Sequence, residues 1–359
     1  MTPNHPETTR TPRTASGRGI AVVSLGLGLC VLAGKALEGH ASDKPVEIRL
    51  VTLAPRGTSV HLSLLQLGEQ WQQISAGRVR LTVIPDYRAG GEGAIVDKMD
   101  IGGVDAALMT IVGLSKINPD VTALAVIPMM FRSLDEVDYV SEQLHPQLEK
   151  RLAQKHYVAL FWGDIGWVQY FTTQPLIHPA DLKKMKVFAW AGNAEQVDLM
   201  KDWGTTPVVL EPSDILVGLS NGMLDAVAAT PFSANAGQFA TVTKHMLELN
   251  WAPLVGGAVV RQATWNKIPA DLRPALLQAA AQTGRNIKVA ARKESDDAVE
   301  AMKIKQGLIV HRPTPDVVEE WRATAATLYP KIRGKLVPAE VFDKVEPLLT
   351  DYRAGRGER

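Results

Sequence analysis

The chain has 359 residues, 46% of them hydrophobic and 21% charged, which supplies apolar side chains for two cores rather than one. Its 39 Lys and Arg against 38 Asp and Glu leave a net charge of +1 spread along the chain, which excludes the basic excess of a nucleic-acid binder. One cysteine, Cys30, excludes a disulfide framework.

The amino end reads as a targeting segment over residues 1–41. Arg10, Arg13 and Arg18 precede an apolar run from Gly19 to Gly34, and Gly39-His40-Ala41 offers small residues where a signal peptidase reads. The run is shorter than the roughly 20 residues of a comfortable bilayer span, so a cleaved Sec-type signal is expected, with an uncleaved membrane anchor as the alternative. No adjacent arginine pair precedes it, and Leu29 before Cys30 is too large for a lipoprotein signal. A mature chain that begins after this segment has no cysteine and is placed in the periplasm.

A strand is predicted over Val46–Leu53, followed by a helix whose apolar face is marked by Leu62, Leu65, Leu67 and Trp71. Val79–Ile84 alternates as the next strand, Gly90-Gly91-Glu92 turns into a helix through Met99 and Ile101, and Asp105 leads into the strand Ala106–Met109. This β-α-β-α-β run predicts parallel strands joined by crossover helices. Pro128–Phe131 is a turn, Leu134–Leu152 a helix and Val158–Trp162 a strand, with Gly163 and Gly166 easing a first crossing into a second domain. There the pattern repeats: strands Val187–Trp190, Pro207–Leu210 and Ala226–Ala229 alternate with helices Ala194–Trp203, Ser213–Gly222 and Phe232–Thr241. The apolar stretch from Trp251 to Arg261 fits a return strand. A long helical stretch with few breakers runs from Ile268 to Gly307, two further helices lie near Pro315–Leu328 and Pro338–Leu349, and Arg353–Arg359 is a charged, loose tail.

The expected fold is α/β: two lobes with a ligand cleft between them and a long C-terminal helix. Lobe I takes residues 46–164 and about 252–285, lobe II residues 165–251 and about 286–350, with a loose tail at 351–359. Open ends of parallel strands would face the cleft, where ligands bind in such sheets. Catalytic motifs are missing from the sequence. It has no H-E-x-x-H, no G-x-S-x-G and no P-loop, its eight histidines form no pair at helical metal spacing, and no carboxylate pair stands in an apolar setting. No enzyme activity, metal or cofactor is expected.

The segment Asp181–Trp190 (DLKKMKVFAW), the segment from Ser213 to Pro231, Pro128–Phe131 (PMMF) and Gly166–Thr173 (GWVQYFTT) together resemble the solute-binding proteins of TRAP transporters, the DctP-like family, over nearly all the chain after residue 45. The resemblance implies an exported receptor that closes on a small solute and hands it to inner-membrane TRAP permease subunits. The receptor would be a monomer or a homodimer, with no nucleic-acid partner. In the family the segment matching Asp181–Trp190 reads roughly D-L-K-G-L-K-I-R-V-P, and its arginine forks onto the ligand's carboxylate, a task suited to a planar, always-charged group. Here Phe188 stands at that arginine and Trp190 at the proline. A second, less general family arginine falls at Val168, beside Trp167. The polar ligand positions fall at Thr230, before Pro231, and Thr110.

A carboxylate desolvated without a cation costs several kcal/mol. The expected ligand is therefore neutral, apolar or aromatic, or cationic over tryptophan faces. Phe188, Trp190, Val168 and Trp167 are expected to form an apolar wall, with Thr230 and Thr110 hydrogen bonding. Phe188 and Trp190 alternate onto one face of their strand. Trp162 and Trp251 read equally as core and as pocket. Arg56 and Arg88, beside predicted strand ends, are the candidates for a substitute anion clamp. Two other readings stay open. One is an envelope interaction protein that kept the fold and lost solute capture. The other is an envelope enzyme, for which the sequence offers no convergent acid, base and nucleophile.

Overall fold

The structure, a computed structural model, describes residues 44–86, 90–191 and 193–357. The expected targeting segment at residues 1–41, like Arg88, lies outside the described residues. Among the described residues no helix is long and apolar enough to cross a membrane.

The first part alternates as its sequence pattern predicts: β1 (Val46–Thr52), α1 (Ser59–Ile74), β2 (Val79–Ile84), α2 (Glu92–Asp100), β3 (Ala106–Thr110), α3 (Ile111–Ile117) and α4 (Leu134–Gln154). β1 lies between β2 and β3 and pairs parallel with both. Helix starts are set by side chains that accept a backbone N–H, Thr58 for α1, Thr110 for α3 and Ser133 for α4.

The chain then crosses on β4 (Tyr157–Thr172), a strand of 16 residues. The second part follows as α5 (Pro179–Leu182), β5 (Lys186–Trp190), α6 (Ala194–Asp202), β6 (Thr206–Leu210), α7 (Ile215–Ser220), β7 (Ala226–Ala229) and α8 (Pro231–Ala236). It returns on β8 (His245–Arg261), 17 residues antiparallel to β4. After the short α9 (Gln262–Trp265) come α10 (Arg273–Gln306), β9 (Ile309–His311), α11 (Pro315–Ala326), α12 (Tyr329–Ile332) and α13 (Ala339–Gly357).

One sheet runs through the molecule in the order β2-β1-β3-β8-β4-β7-β5-β6, with β9 beside β8. Parallel strands form both flanks, β2-β1-β3 on one side and β7-β5-β6 on the other. The antiparallel pair β4 and β8 joins them. Each half carries apolar clusters on both faces of the sheet. In the second half successive residues divide between them: Phe171 and Phe188 pack with Ile215 and Val227, while Tyr170 and Val187 pack with Leu182 and Trp321.

Helix α10 straps both halves. Its buried residues, among them Leu276, Ala280, Ile287, Ala291, Ala298 and Met302, recur every three or four positions as on one face of a helix. Leu276 through Ala291 pack on the first half and Ala298 and Met302 on the second.

Four expectations need correction. The strand expected over Val158–Trp162 continues to Thr172, because Gly163 and Gly166 lie within the strand instead of ending it. The register slips between Asp164 and Trp167, and Gly166 takes φ +90°, open to glycine at little cost. The helix expected over Phe232–Thr241 stops at Ala236, where Gln238 turns left-handed (φ 56°) before a short 3-10 turn at Phe239–Thr241. The stretch 286–350 does not stay with the second half, since Val341, Val345 and Leu349 of α13 pack with Val140, Leu144 and Leu148 of α4. The tail expected to be loose from residue 351 is helical to Gly357, and Arg353 forks onto the buried Glu136 at 2.8 and 3.0 Å.

Candidate functional site

Between the two halves lies a cavity of about 710 Å³. Carboxyl ends of parallel strands from both halves reach it, through Thr52 and Leu53 at β1, Leu108 to Thr110 at β3 and Phe188 and Trp190 at β5. The joining strands supply the floor, with Gly163, Asp164, Val168 and Tyr170 from β4 and Trp251 to Gly256 from β8. Close approach is built in here: a Cβ on Gly256 would collide with the carbonyl oxygen of Met109 on the neighbouring β3.

Four of the residues singled out from sequence line the cavity: Phe188, Trp190, Val168 and Thr110. The rings of Phe188 and Trp190 lie 6.1 Å apart at 59°. Phe188 is 5% exposed and also belongs to the core around Ile215 and Val227, so its ring is fixed. Thr110 ends β3 and caps α3. Its hydroxyl donates to Glu92 Oε2 at 2.7 Å and accepts from the Val112 N–H.

Trp167 and Thr230 are placed elsewhere. Trp167 packs against the apolar cluster of the first half. Thr230 is fully buried, and its hydroxyl caps α8 through Ser233, accepting from the backbone N–H and donating to the side-chain oxygen. Of the two tryptophans read both ways, Trp162 stacks on His145 at 5.0 Å and donates its Nε1–H to Glu149, away from the cavity, whereas Trp251 lines it.

Sequence reading missed the aromatic corner around Trp251. Trp203 stacks on Trp251 with centroids 5.5 Å apart and planes 11° from parallel, Tyr170 tilts onto Trp251 at 5.5 Å, and Trp321 closes the group from behind. Tyr170 and Trp203 both line the cavity, as do Gln196, Leu199 and Met200 of α6. The spacing 196, 199, 200, 203 is a helical stripe and could have revealed this wall. Leu199 and Trp203 also pack against the apolar cluster of the first half, so the two halves meet through α6.

The electrostatics are distinctive. No lysine, arginine or histidine is among the described residues that line the cavity, while three carboxylates are: Asp86, Glu92 and Asp164. Each is answered locally. Asp164 receives a fork from Arg292, Nε at 2.9 Å and Nη2 at 2.6 Å, and Arg292 forks equally onto Asp138, which also holds Lys288 at 3.1 Å. Burial alone would raise the Asp138 carboxyl, but the hydrogen bonds and charges of Arg292 and Lys288 hold it below its ordinary value. Glu92 accepts from the Thr110 N–H, the Thr110 hydroxyl and the Gly113 N–H, each at 2.7 Å, yet its burial prevails and pushes its pKa up. Asp86 takes the Arg56 N–H at 2.6 Å and its side chain at 3.4 Å. Arg56 is thereby paired with Asp86. Arg88 lies outside the described residues.

Among the described residues no group of three or more His, Cys, Asp or Glu side chains is arranged to hold a metal. The arrangement suits enclosure of a small molecule between two halves.

Comparison with known proteins agrees with that geometry. The family model for bacterial extracellular solute-binding proteins, family 7, matches residues 50–335. A solute-binding protein of Roseobacter denitrificans is 28% identical over 273 residues, 74% of this chain and 79% of its own length. The C4-dicarboxylate-binding periplasmic protein DctP of Rhodobacter capsulatus is 20% identical over 302 residues, 84% of this chain and 90% of its own. Among solved structures, a TRAP periplasmic solute-binding protein from Shewanella oneidensis with bound succinate superposes with a TM-score of 0.79 at 18% identity, covering 85% of this chain and 99% of that one. A match over 286 residues of the chain, on a bilobed α/β frame with a cavity at the strand ends, places this protein in family 7 of the bacterial extracellular solute-binding proteins, the binding receptors of TRAP transporters and not enzymes.

Proposed function

We propose that this receptor captures a small neutral solute, apolar or aromatic in its main body, between the two halves and delivers it to inner-membrane permease subunits. The halves act as lobes that close by bending β4 and β8 near Gly163 and Gly166. The observation that carries the ligand class is the absence of Lys, Arg and His among the described cavity-lining residues, with Phe188 where the family resemblance puts the carboxylate-binding arginine. A carboxylate brought into such a site loses its hydration and gains no cation. The succinate-bound and C4-dicarboxylate-binding relatives would then differ from this chain in ligand class, not in fold or mode of capture. Phe188, Trp190 and Val168 serve as the apolar wall. A cavity of about 710 Å³ is what a receptor that had lost solute capture by filling its cleft would lack.

The test is native mass spectrometry of the purified protein, with release and identification of any co-purified molecule, beside thermal-shift titrations with succinate and D-glucuronate. A neutral apolar or aromatic compound with no shift from either acid supports the reading. Saturable stabilisation by either acid at micromolar concentration refutes it and directs attention to Arg56 and Arg88.

A further inference from the structure

We infer that His245 and His311 form a binding site for one copper(II) or nickel(II) ion, on the flank of the sheet where β9 joins β8. Neither residue lines the cavity, so the site is separate from solute capture and does not depend on the ligand class proposed above. The two histidines stand 66 positions apart in the chain, so no sequence spacing announces the pair.

β8 and β9 run parallel, with His245 opposite Ile309, Met246 opposite Val310 and Leu247 opposite His311. Met246 and Val310 turn to the apolar cluster around Phe171, and Leu247 to the cluster around Trp321. By alternation His245 and His311 share the Leu247 face as diagonal neighbours, within reach of each other's rings. His245 Nδ1 lies 2.9 Å from His311 Nε2, with ring centroids 5.1 Å apart and planes at 30°. An ion with metal–nitrogen bonds of about 2.0–2.1 Å holds two ligands at a right angle when their nitrogens are about 2.9 Å apart, the cis arrangement of tetragonal copper(II) or nickel(II). The strand pair already holds the two donors at that separation.

Both residues are half-buried, which leaves room for an ion that keeps its remaining waters. Partial burial and the His311 ring beside it push the His245 pKa down, so this imidazole is neutral at pH 7 and has a lone pair to give. In the neutral pair one facing nitrogen carries a proton and donates it to the other. Ion binding places that proton on the outer nitrogen of the same ring, the second tautomer of imidazole, and both facing lone pairs then reach the metal. Among the described residues no protein hydrogen bond holds either outer nitrogen against that exchange. The cations nearest in sequence are engaged elsewhere: Lys244 donates to the Ala240 and Gln306 carbonyls, and Arg312 pairs with Glu248 at 2.6 Å, by alternation on the opposite face. Two imidazoles suit copper and nickel and give little hold to calcium or magnesium, which take oxygen ligands.

The test is isothermal titration of the purified protein, made without a histidine tag, with copper(II) and nickel(II) chloride in a non-chelating buffer near pH 7. One ion should bind per chain at micromolar concentration, copper more tightly than nickel or zinc, and magnesium should not bind. His245→Ala and His311→Ala should each weaken nickel binding about tenfold or more. His178→Ala, at a surface histidine paired with Glu320, should leave it unchanged. Electron paramagnetic resonance of the copper form adds a second readout, with coupling to two nitrogens in the unmodified protein and to one in each of the two site variants. Having two variants guards against one that fails to fold, which circular dichroism identifies. No saturable binding below millimolar concentration overturns the site. So does an affinity that neither variant changes, or a copper spectrum without two coupled nitrogens.

Discussion

Replacing Arg292 by methionine should destabilise the protein by about 3–5 kcal/mol, the cost of breaking a buried ion pair from one side. The structure says which carboxylate carries that cost. Asp138 keeps Lys288 at 3.1 Å and is 27% exposed, so it stays partly solvated and paired. The Asp164 side chain is 4% exposed and, without the guanidinium, retains the Gly166 N–H at 3.1 Å. Methionine fills the space and supplies no charge. Urea unfolding at pH 7 should show the loss as a lower midpoint at a similar slope. The pH dependence checks the cause. In the unmodified protein the Asp138 pKa is lowered, so its stabilisation is complete above the ordinary carboxylate value, near 3.8, and is lost only as pH falls through the lower folded value. Nothing from that group should change between pH 7 and pH 5. A loss under about 1 kcal/mol, or a contribution from Asp138 that changes between pH 7 and pH 5, would refute the assignment of Arg292 as the counter-charge of these carboxylates.

Phe188→Arg should lower thermal stability, because position 188 is 5% exposed, and should create succinate binding measurable by calorimetry. No gain in a folded variant would show that position 188 does not face the solute. Gly256→Ala should cost about 1–3 kcal/mol or more by overpacking against Met109, whereas Gly93→Ala, inside α2 with open surroundings, should stabilise by about 0.5–1 kcal/mol. The two signs, read by urea unfolding, separate strand contact from helix propensity. Arg353→Met should cost about 1–3 kcal/mol, discounted because Arg353 is a third exposed. A neutral result would restore the loose tail that composition suggests.

Strand and helix periods, read locally, place β1, β2, β3, β5, β6 and β7 within a residue or two, because each is a short apolar run between turn residues. The long β4 and β8 are less legible. Gly163 and Gly166 read as the end of a strand at a crossing, yet here they lie within one continuous strand beside a register slip, while Gly256 and Gly257 sit in the expected return strand and allow close backbone contact. Alternation correctly puts Phe188 and Trp190 together, since period two is a property of the strand itself. It fails for Trp167, one residue from cavity-lining Val168 and beside the register slip. Thr230 fails for another reason: a threonine before a proline is as good a helix cap as a ligand contact, and the cap takes the hydroxyl. Tyr170, Trp203 and Trp251 come from β4, the end of α6 and β8, so only the folded sheet brings them to one corner.

Loss of an arginine from a carboxylate site does not by itself say what replaces the carboxylate, because an uncompensated acidic lining would favour cations. The state of the three acidic residues decides between neutral and cationic solutes. Asp164 is matched by Arg292, which Asp138 and Lys288 in turn balance, and Asp86 is matched by Arg56. Glu92 is buried, its pKa is raised, and all three of its close partners are groups of the chain. A cationic solute would thus find no free carboxylate and would have only ring faces to offset its desolvation, about 2 kcal/mol where water is excluded. Against a desolvation penalty of several kcal/mol for an ion, that is insufficient, which supports the proposal of a solute without charge of either sign. Choline and succinate should both fail to shift the melting temperature, and stabilisation by choline alone would show that the Glu92 or Asp86 charge reaches the cavity after all.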